Sequence, residues 1–258
     1  MGGTEGAVDA AGAVGAGMSR RERLAQLRRQ IAAVPARGGE TTTTHAGAGV
    51  PVLPVPEPLA ALLPHGGLVR GSVVSVSGAT SLLLGLVASI TASGGHVAVV
   101  GRPQLGLLAA VEMGTRLDRL ALVPEPGPDP VEIAAVLLDG MDLVVLGLGG
   151  GAVAPSRARA VMARARSKGC TLVVTDGRWD GAEMTLDAEV DGYDGLGDRH
   201  RRDRGRVCSV RLSVRAGGKT FRPRTTRLDV RSARGRVEWG QAAGPSAVDG
   251  PAAGVASA

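Results

Sequence analysis

Short apolar runs alternate with longer segments of helical spacing between residues 59 and 176, and this alternation constrains the fold more than any other feature. Five runs are predicted to be strands, at residues 72–77, 97–100, 120–123, 143–146 and 172–175. Four helices are predicted between them, at residues 82–92, 106–116, 130–138 and 156–167. Strands joined through helices lie parallel in one sheet, with the helices covering its two faces. The region is therefore predicted to be α/β.

Beyond residue 180 the pattern changes to strict alternation of apolar and polar residues. One run has Met184, Leu186, Ala188 and Val190 as its apolar members, and a second has Cys208, Val210, Leu212 and Val214. A period of two indicates strands with one buried and one solvated face. Such strands favour an antiparallel extension of the sheet. The expected fold class is an α/β core with a mostly parallel sheet flanked by helices, plus C-terminal antiparallel strands.

Composition divides the 258 residues into six segments. They are a disordered start (1–18), an amphipathic helix (19–36), a linker (37–58), the α/β core (59–198), a basic β extension of the core (199–240) and a disordered tail (241–258). The helix carries an apolar stripe of Leu24, Leu27, Ile31 and Val34. This stripe is expected to dock on its own domain, on a partner or on a neighbouring copy, and the helix is a candidate for self-association.

The composition and the spacing of residues argue against several classes of function. The two cysteines, Cys170 and Cys208, are too far apart for a redox or zinc motif, and the four histidines show no ligand spacing. The acidic run at residues 187–198 departs from a calcium loop after its first half. No apolar run reaches the ~18 residues of a membrane span, and no signal peptide is visible. We expect a cytoplasmic protein without metal or cofactor.

The segment LLPHGGLVRGSVVSVSG, residues 62–78, resembles the lead-in to the RecA-type ATPase core, in which a GG-L-x-x-G stretch precedes the first strand and the phosphate loop. The order of strands and helices that follows is also similar to that core, over roughly residues 59–230. The resemblance implies a RecA-like fold. It also implies a nucleotide site after the first strand, which can be compared with the sequence position by position.

The catalytic motifs of that family are degenerate here. A phosphate loop needs a second glycine, a lysine and a hydroxyl residue, but counting from Gly78 places Leu83, Leu84 and Gly85 at those positions. If the alignment is given a deletion, Ser81 takes the position of the hydroxyl residue. The position of the lysine still carries no cation.

Three further groups of the family's site are missing as well. Gly147 stands where the Walker B acid is expected, and Asp142 precedes that strand. The catalytic glutamate falls at Arg102 and Pro103, and the glutamine sensor at Asp176 and Gly177. We expect a pseudo-ATPase that binds no nucleotide cofactor.

Among RecA-like proteins without ATPase motifs, the chain looks most like the ImuA family, including its ImuA-prime form. The features that carry this resemblance are the GGLVRG entry at residues 66–71, the composition rich in Ala and Arg, the N-terminal helix and the basic C-terminal strands. That resemblance implies an accessory protein of DNA-damage-induced mutagenic translesion synthesis. Its implied partners are an ImuB-like Y-family polymerase homologue and a DnaE-type polymerase, with association with the nucleoid during DNA damage. A SulA-type inhibitor of cell division is an alternative, and a DNA-dependent ATPase of the recombinase class is a second.

A basic segment is the strongest charge feature of a chain whose net charge is +6. Residues 199–227 hold eleven cations and one acid; the cations are Arg199, Arg201, Arg202, Arg204, Arg206, Arg211, Arg215, Lys219, Arg222, Arg224 and Arg227. Such a patch can contact phosphates without sequence preference or dock an acidic protein segment. Phe221 is its one aromatic residue, so a base-stacking platform is not expected.

Overall fold

Nine strands form one sheet in the computed structural model, which describes residues 49–195 and 207–242. In chain order the elements are β1 (Val52–Leu53), α1 (Glu57–Ala60), β2 (Leu68–Val69), β3 (Val73–Gly78), α2 (Thr80–Ala92), β4 (Val97–Val100), α3 (Leu107–Glu112), β5 (Leu120–Val123), α4 (Pro130–Leu137), β6 (Leu143–Gly147), α5 (Pro155–Lys168), β7 (Thr171–Thr175), β8 (Met184–Asp194), β9 (Ser209–Gly218), β10 (Arg224–Ala233) and β11 (Arg236–Gln241). All five strands predicted within residues 59–176 are present.

The sheet is parallel on one side and antiparallel on the other. Its strand order is β11-β10-β9-β8-β3-β7-β6-β4-β5. The six strands from β8 to β5 pair in parallel, and β8 to β11 form an antiparallel meander. The predicted fold class, with its mostly parallel sheet, flanking helices and C-terminal antiparallel strands, is confirmed.

The junction between the two halves differs from the prediction in one respect. β8 is the first of the strictly alternating strands, yet it pairs in parallel with β3 and only then antiparallel with β9. The antiparallel extension therefore begins one strand later than predicted. Alternation of apolar and polar residues indicates a strand with one solvated face, and β8 has such a face. The alternation does not indicate whether the neighbouring strand is parallel or antiparallel.

Two apolar layers cover the parallel strands. On one face α2 contributes Leu82, Leu86 and Ile90, which are fully buried against the strands. On the other face α4 and α5 cover the sheet with small residues such as Ala134 and Ala158. β6 is buried along its whole length, so its residues carry no polar alternation.

The described part of the segment predicted as a linker belongs to the fold. Val52 and Leu53 form β1, which pairs with β2, and Leu53 is 1% exposed. Val55 and Leu59 also lie in the buried cluster beside α2. The many prolines of this segment suggested a linker, but its apolar residues fill the core between α2 and β11. Residues 1–18 and 19–36, and residues 243–258 of the predicted tail, lie outside the described residues.

No helix in the described ranges is long and apolar enough to cross a membrane.

Candidate functional site

The junction between β3 and α2 is where the RecA-type resemblance implies a phosphate loop. β3 ends at Gly78 and α2 begins at Thr80, so Ala79 alone connects them. The Ala79 N–H donates to the carbonyl oxygen of Ala188 in β8, 2.8 Å away. Gly78 has φ +84°, and a Cβ there would collide with the same carbonyl oxygen. A cradle needs several free backbone N–H groups in a loop, and this connection is too short to form one.

The positions that ungapped counting gives to the lysine and the hydroxyl lie inside a helix. Leu84 is 4% exposed and belongs to the core cluster. Gly85 faces the indole ring of Trp239 in β11, so closely that a Cβ would collide with it. Ser81 lies in the first turn of α2 and is half-buried. The shortened alignment that selects Ser81 therefore matches the structure better than ungapped counting.

Gly147 ends β6 at the position of the Walker B acid. A Cβ at this residue would lie 2.6 Å from the Gly101 carbonyl oxygen and 2.9 Å from Cδ of Arg102. The ends of β4 and β6 have thus come together where an acidic side chain would stand. Any larger residue at position 147 requires a backbone movement.

Arg102 and Asp176 occupy the space at the carboxyl ends of the parallel strands. The Arg102 guanidinium, whose side chain is 19% exposed, forms an ion pair with the Asp176 carboxylate and lies 3.5 Å from Thr175 Oγ1. Asp176 adopts φ +53°, in the left-handed region of backbone conformation. In the sequence the two residues stand at unrelated positions, Arg102 where the catalytic glutamate is expected and Asp176 where the glutamine sensor is expected. The structure joins them into one contact.

Six of the eleven predicted basic residues lie in the described ranges. The other five, Arg199, Arg201, Arg202, Arg204 and Arg206, lie outside the described residues. Arg211, Arg215 and Arg227 project from the solvated face of β9 and β10. Lys219 and Arg222 lie in the turn between these strands, and Arg224 opens β10.

Acidic residues share the solvated face with these arginines. Arg211 pairs with Asp194 at 3.4 Å, and Arg227 pairs with Asp191 at 3.6 Å. A polar groove of about 400 Å³ beside Gly78 is lined by Ser77, Asp187, Glu189, Ser213, Arg215 and Thr225. The sequence placed these acids outside the basic segment, but the register of β8 and β9 brings them opposite the arginines. This face has mixed charge.

A second cavity, of about 300 Å³, lies at the amino ends of β3 and β8, and sequence reasoning missed it. Its apolar wall comes from distant parts of the chain: Pro64, Val69, Met162, Met184 and Phe221. Its polar lining residues are His65, Ser72, Arg166, Glu183, Lys219 and Thr220. The GGKTF turn at residues 217–221 was a signal for it, because it sets the chain's one phenylalanine next to a cation.

Cysteine and metal chemistry find no site in the described ranges. Burial raises the pKa of the Cys170 thiol to about 12, so the reactive thiolate does not form at neutral pH. Cys208 is exposed at the start of β9. Residues 49–195 and 207–242 contain no group of three or more His, Cys, Asp or Glu that could hold a metal ion.

Comparison with known proteins gives matches over most of the chain. A family model described as the MT3502 N-terminal domain matches residues 61–181, and one described as the Rv3395c C-terminal domain matches residues 184–225. The "Uncharacterized protein Rv3395c" of Mycobacterium tuberculosis (strain ATCC 25618 / H37Rv) is 51% identical over 204 residues, which are 78% of this chain and 91% of the relative. The crystal structure of the RadB recombinase has 17% identity and a TM-score of 0.48, over 70% of this chain and 95% of RadB.

Proposed function

We propose that this chain, which belongs to the family of the Mycobacterium tuberculosis protein Rv3395c, has a non-catalytic role built on a RecA-like fold. In this proposal it is an accessory or scaffold protein of DNA-damage-induced mutagenic translesion synthesis. Its partners are an ImuB-like Y-family polymerase homologue and a DnaE-type polymerase. DNA is a further, non-specific contact.

The single observation that carries the non-catalytic part is the one-residue connection between β3 and α2. Its N–H is bonded to Ala188, and Leu84 and Gly85, which ungapped counting places at the lysine and the hydroxyl, are buried in α2. Replacement of Leu84 by lysine alone would place an ammonium in an apolar layer rather than beside a phosphate. The β3–α2 connection therefore differs from a phosphate loop in its length as well as in the identity of its residues.

The scaffold role is supported by the contacts between the strand ends at the expected nucleotide position. The ends of β4, β6 and β7 are closed by the Gly101–Gly147 contact and by the Arg102–Asp176 ion pair. These contacts fix the strand ends without a ligand, whereas a nucleotide-driven switch needs strand ends that respond to one. The translesion part of the proposal depends on the resemblance to the ImuA family, which rests on the GGLVRG entry (residues 66–71), the composition rich in Ala and Arg, the predicted N-terminal helix and the basic C-terminal strands.

Calorimetry with Mg-ATP tests the non-catalytic part. We expect no saturable heat at micromolar protein and no hydrolysis above the protein-free rate, with or without DNA. Micromolar binding, or turnover that Ser81→Ala abolishes, would establish a DNA-dependent ATPase of unusual design and contradict the proposal.

Capture of the tagged chain from DNA-damaged and undamaged cells tests the translesion part. We expect enrichment of the Y-family-like homologue and the DnaE-type polymerase after damage, relative to an unrelated tagged protein. Enrichment of a filament-forming division protein instead would favour the SulA-type alternative. Equal recovery of the polymerases with the unrelated protein would remove the support for a translesion role.

A further inference from the structure

The cavity at the amino ends of β3 and β8 has a mainly apolar interior. Met162 of α5, Met184 of β8 and Phe221 of the β9–β10 turn provide most of its wall. Its volume of about 300 Å³ suits one or two bulky side chains. It lies at the opposite end of the parallel strands from the closed nucleotide position, because Ser72 and Met184 stand at the beginnings of their strands.

Close backbone contacts hold the wall of this cavity in place. Phe221 lies so near Gly218 that a Cβ on that glycine would collide with the ring. A Cβ at Gly181 would come within 3.3 Å of the Met162 sulfur atom. Gly71 approaches the backbone of Arg166 so closely that a Cβ on this glycine would lie 3.0 Å from the Arg166 Cα. The cavity is therefore part of the packed architecture and not a gap between loose side chains.

Cations follow Phe221 in the chain and also line the cavity. Lys219 lines it, and its ammonium donates to the Gly181 carbonyl oxygen at 2.8 Å. Arg222 and Arg224, one and three residues beyond Phe221, are exposed. None of these three cations forms an ion pair with an acid of the described ranges. Arg166 is neutralised by Glu183 at 2.8 Å.

We propose that this cavity is a docking site for an acidic protein segment that inserts a bulky apolar side chain between Met162, Met184 and Phe221. Carboxylates beside the inserted side chain face Lys219, Arg222 and Arg224. The apolar interior is the reason to choose a protein over a nucleic acid, because phosphates would use the cations but leave the cavity empty. The inference assigns a recognition chemistry to three members of the basic segment.

Fluorescently labelled peptides provide the test on the full-length chain. We expect EDLFDE to bind roughly tenfold more tightly than EDAADE, because the second peptide lacks the apolar anchor. KKLFKK, with the same anchor and reversed charge, is expected to bind more weakly than EDLFDE. Equal binding of EDLFDE and EDAADE, or preference for KKLFKK, would overturn the proposal.

Variants of the chain locate the binding. Met162→Trp fills the interior and Lys219→Glu reverses the charge of a lining residue, and each is expected to weaken EDLFDE binding at least fivefold. Arg236→Glu makes the same charge change at the start of β11 and is expected to leave binding unchanged. Circular dichroism and thermal unfolding of the variants check that they are folded. If Lys219→Glu instead abolishes duplex DNA binding and leaves EDLFDE unaffected, Lys219 contacts nucleic acid and the proposal is wrong.

The inference names a kind of partner for the proposed scaffold. Its biological meaning rests on the proposed scaffold role, but the binding of the peptides does not. The peptide measurement involves neither nucleotide nor DNA damage. Failure to capture a polymerase would leave the peptide result standing, and failure of the peptides would leave the translesion proposal standing.

Discussion

At the end of β6 the absence of one side chain sets how closely two strands approach. Gly147 lies against the Gly101 carbonyl oxygen and the side chain of Arg102. In an ATPase an acid here would hold a magnesium ion, and the neighbouring strand end would have to stand farther away. The absence of the acid was readable from the sequence. The contact that replaced it was not, because it joins two residues that are far apart in the chain through backbone atoms.

Gly147→Ala is expected to destabilise the fold by about 2 kcal/mol, because the new Cβ meets a backbone oxygen that a side-chain rotation cannot move. Gly140→Ala is the matched control. It lies just before the same strand, has open space around its Cβ position, and is expected to be neutral or slightly stabilising. Urea unfolding of both variants measures the difference. Equal stability of the two variants would show that the ends of β4 and β6 can separate freely.

At the scale of elements, an ionic contact links β2 with the amino ends of β4 and β6. The Asp142 carboxylate accepts from Arg70 at 2.7 Å and from the His96 backbone N–H at 2.8 Å. Burial of Asp142 opposes its ionisation, but the bonds from His96 and Arg70 outweigh burial and lower the pKa of the carboxyl. In the sequence Asp142 is only an acid on the wrong side of a strand. Its structural role depends on two partners that are far away in the chain.

Asp142→Asn is expected to cost about 1.5 kcal/mol of stability at pH 7, because a charge-assisted hydrogen bond is lost. A carboxyl whose folded pKa is lowered stabilises the fold above its unfolded pKa of about 3.9 and loses that effect as the pH falls through the folded value. The difference from wild type should therefore shrink below about pH 4. Thermal unfolding across a pH series from neutral to acid measures it. Asp180→Asn, at an exposed acid with no ion pair in the described ranges, is the control without effect. A difference independent of pH would mean that packing, not charge, holds this contact.

The strands and helices of the parallel core could be predicted because each is a continuous run with its own periodicity. The strand from Val97 to Val100 was predicted to the residue. One strand and one strand pairing could not be predicted, for physical reasons. β1 has only two residues, too few to show a period, and the parallel pairing of β8 is a property of its neighbour β3. The cavity at Phe221 could not be predicted from the sequence, because its lining residues come from separate segments of the chain.

At the scale of the molecule, the structure divides the basic segment by what surrounds each cation. Arg211 and Arg227 already face Asp194 and Asp191. The arginines at residues 199–206 lie outside the described residues, and the sequence gives them a single acid, Asp203. Cations that are paired within the protein release fewer counterions from DNA than unpaired ones. The two groups are therefore expected to differ in any binding to DNA.

Weak duplex binding without sequence preference is expected, and it should fall steeply with salt. Replacement of Arg201, Arg202 and Arg204 by serine should reduce the log–log salt slope by up to about 0.9 per lost phosphate contact. Arg211→Ser with Arg227→Ser should reduce it less. Fluorescence anisotropy at several salt concentrations measures both variants. A larger effect from the strand pair would show that the solvated face of β9 and β10 is the DNA contact in spite of its acids.

The predicted helix at residues 19–36 bears on how copies of the molecule associate. Leu27→Asp with Ile31→Asp is expected to weaken self-association or partner binding while the α/β core stays folded, because the apolar stripe would lose its central residues. Ala25→Asp with Ala32→Asp adds the same charge away from the stripe and should have no effect. Sedimentation velocity and partner capture measure association, and thermal unfolding measures the core. If association is unchanged while the unfolding temperature drops sharply, the stripe packs on its own domain and the self-association hypothesis is wrong.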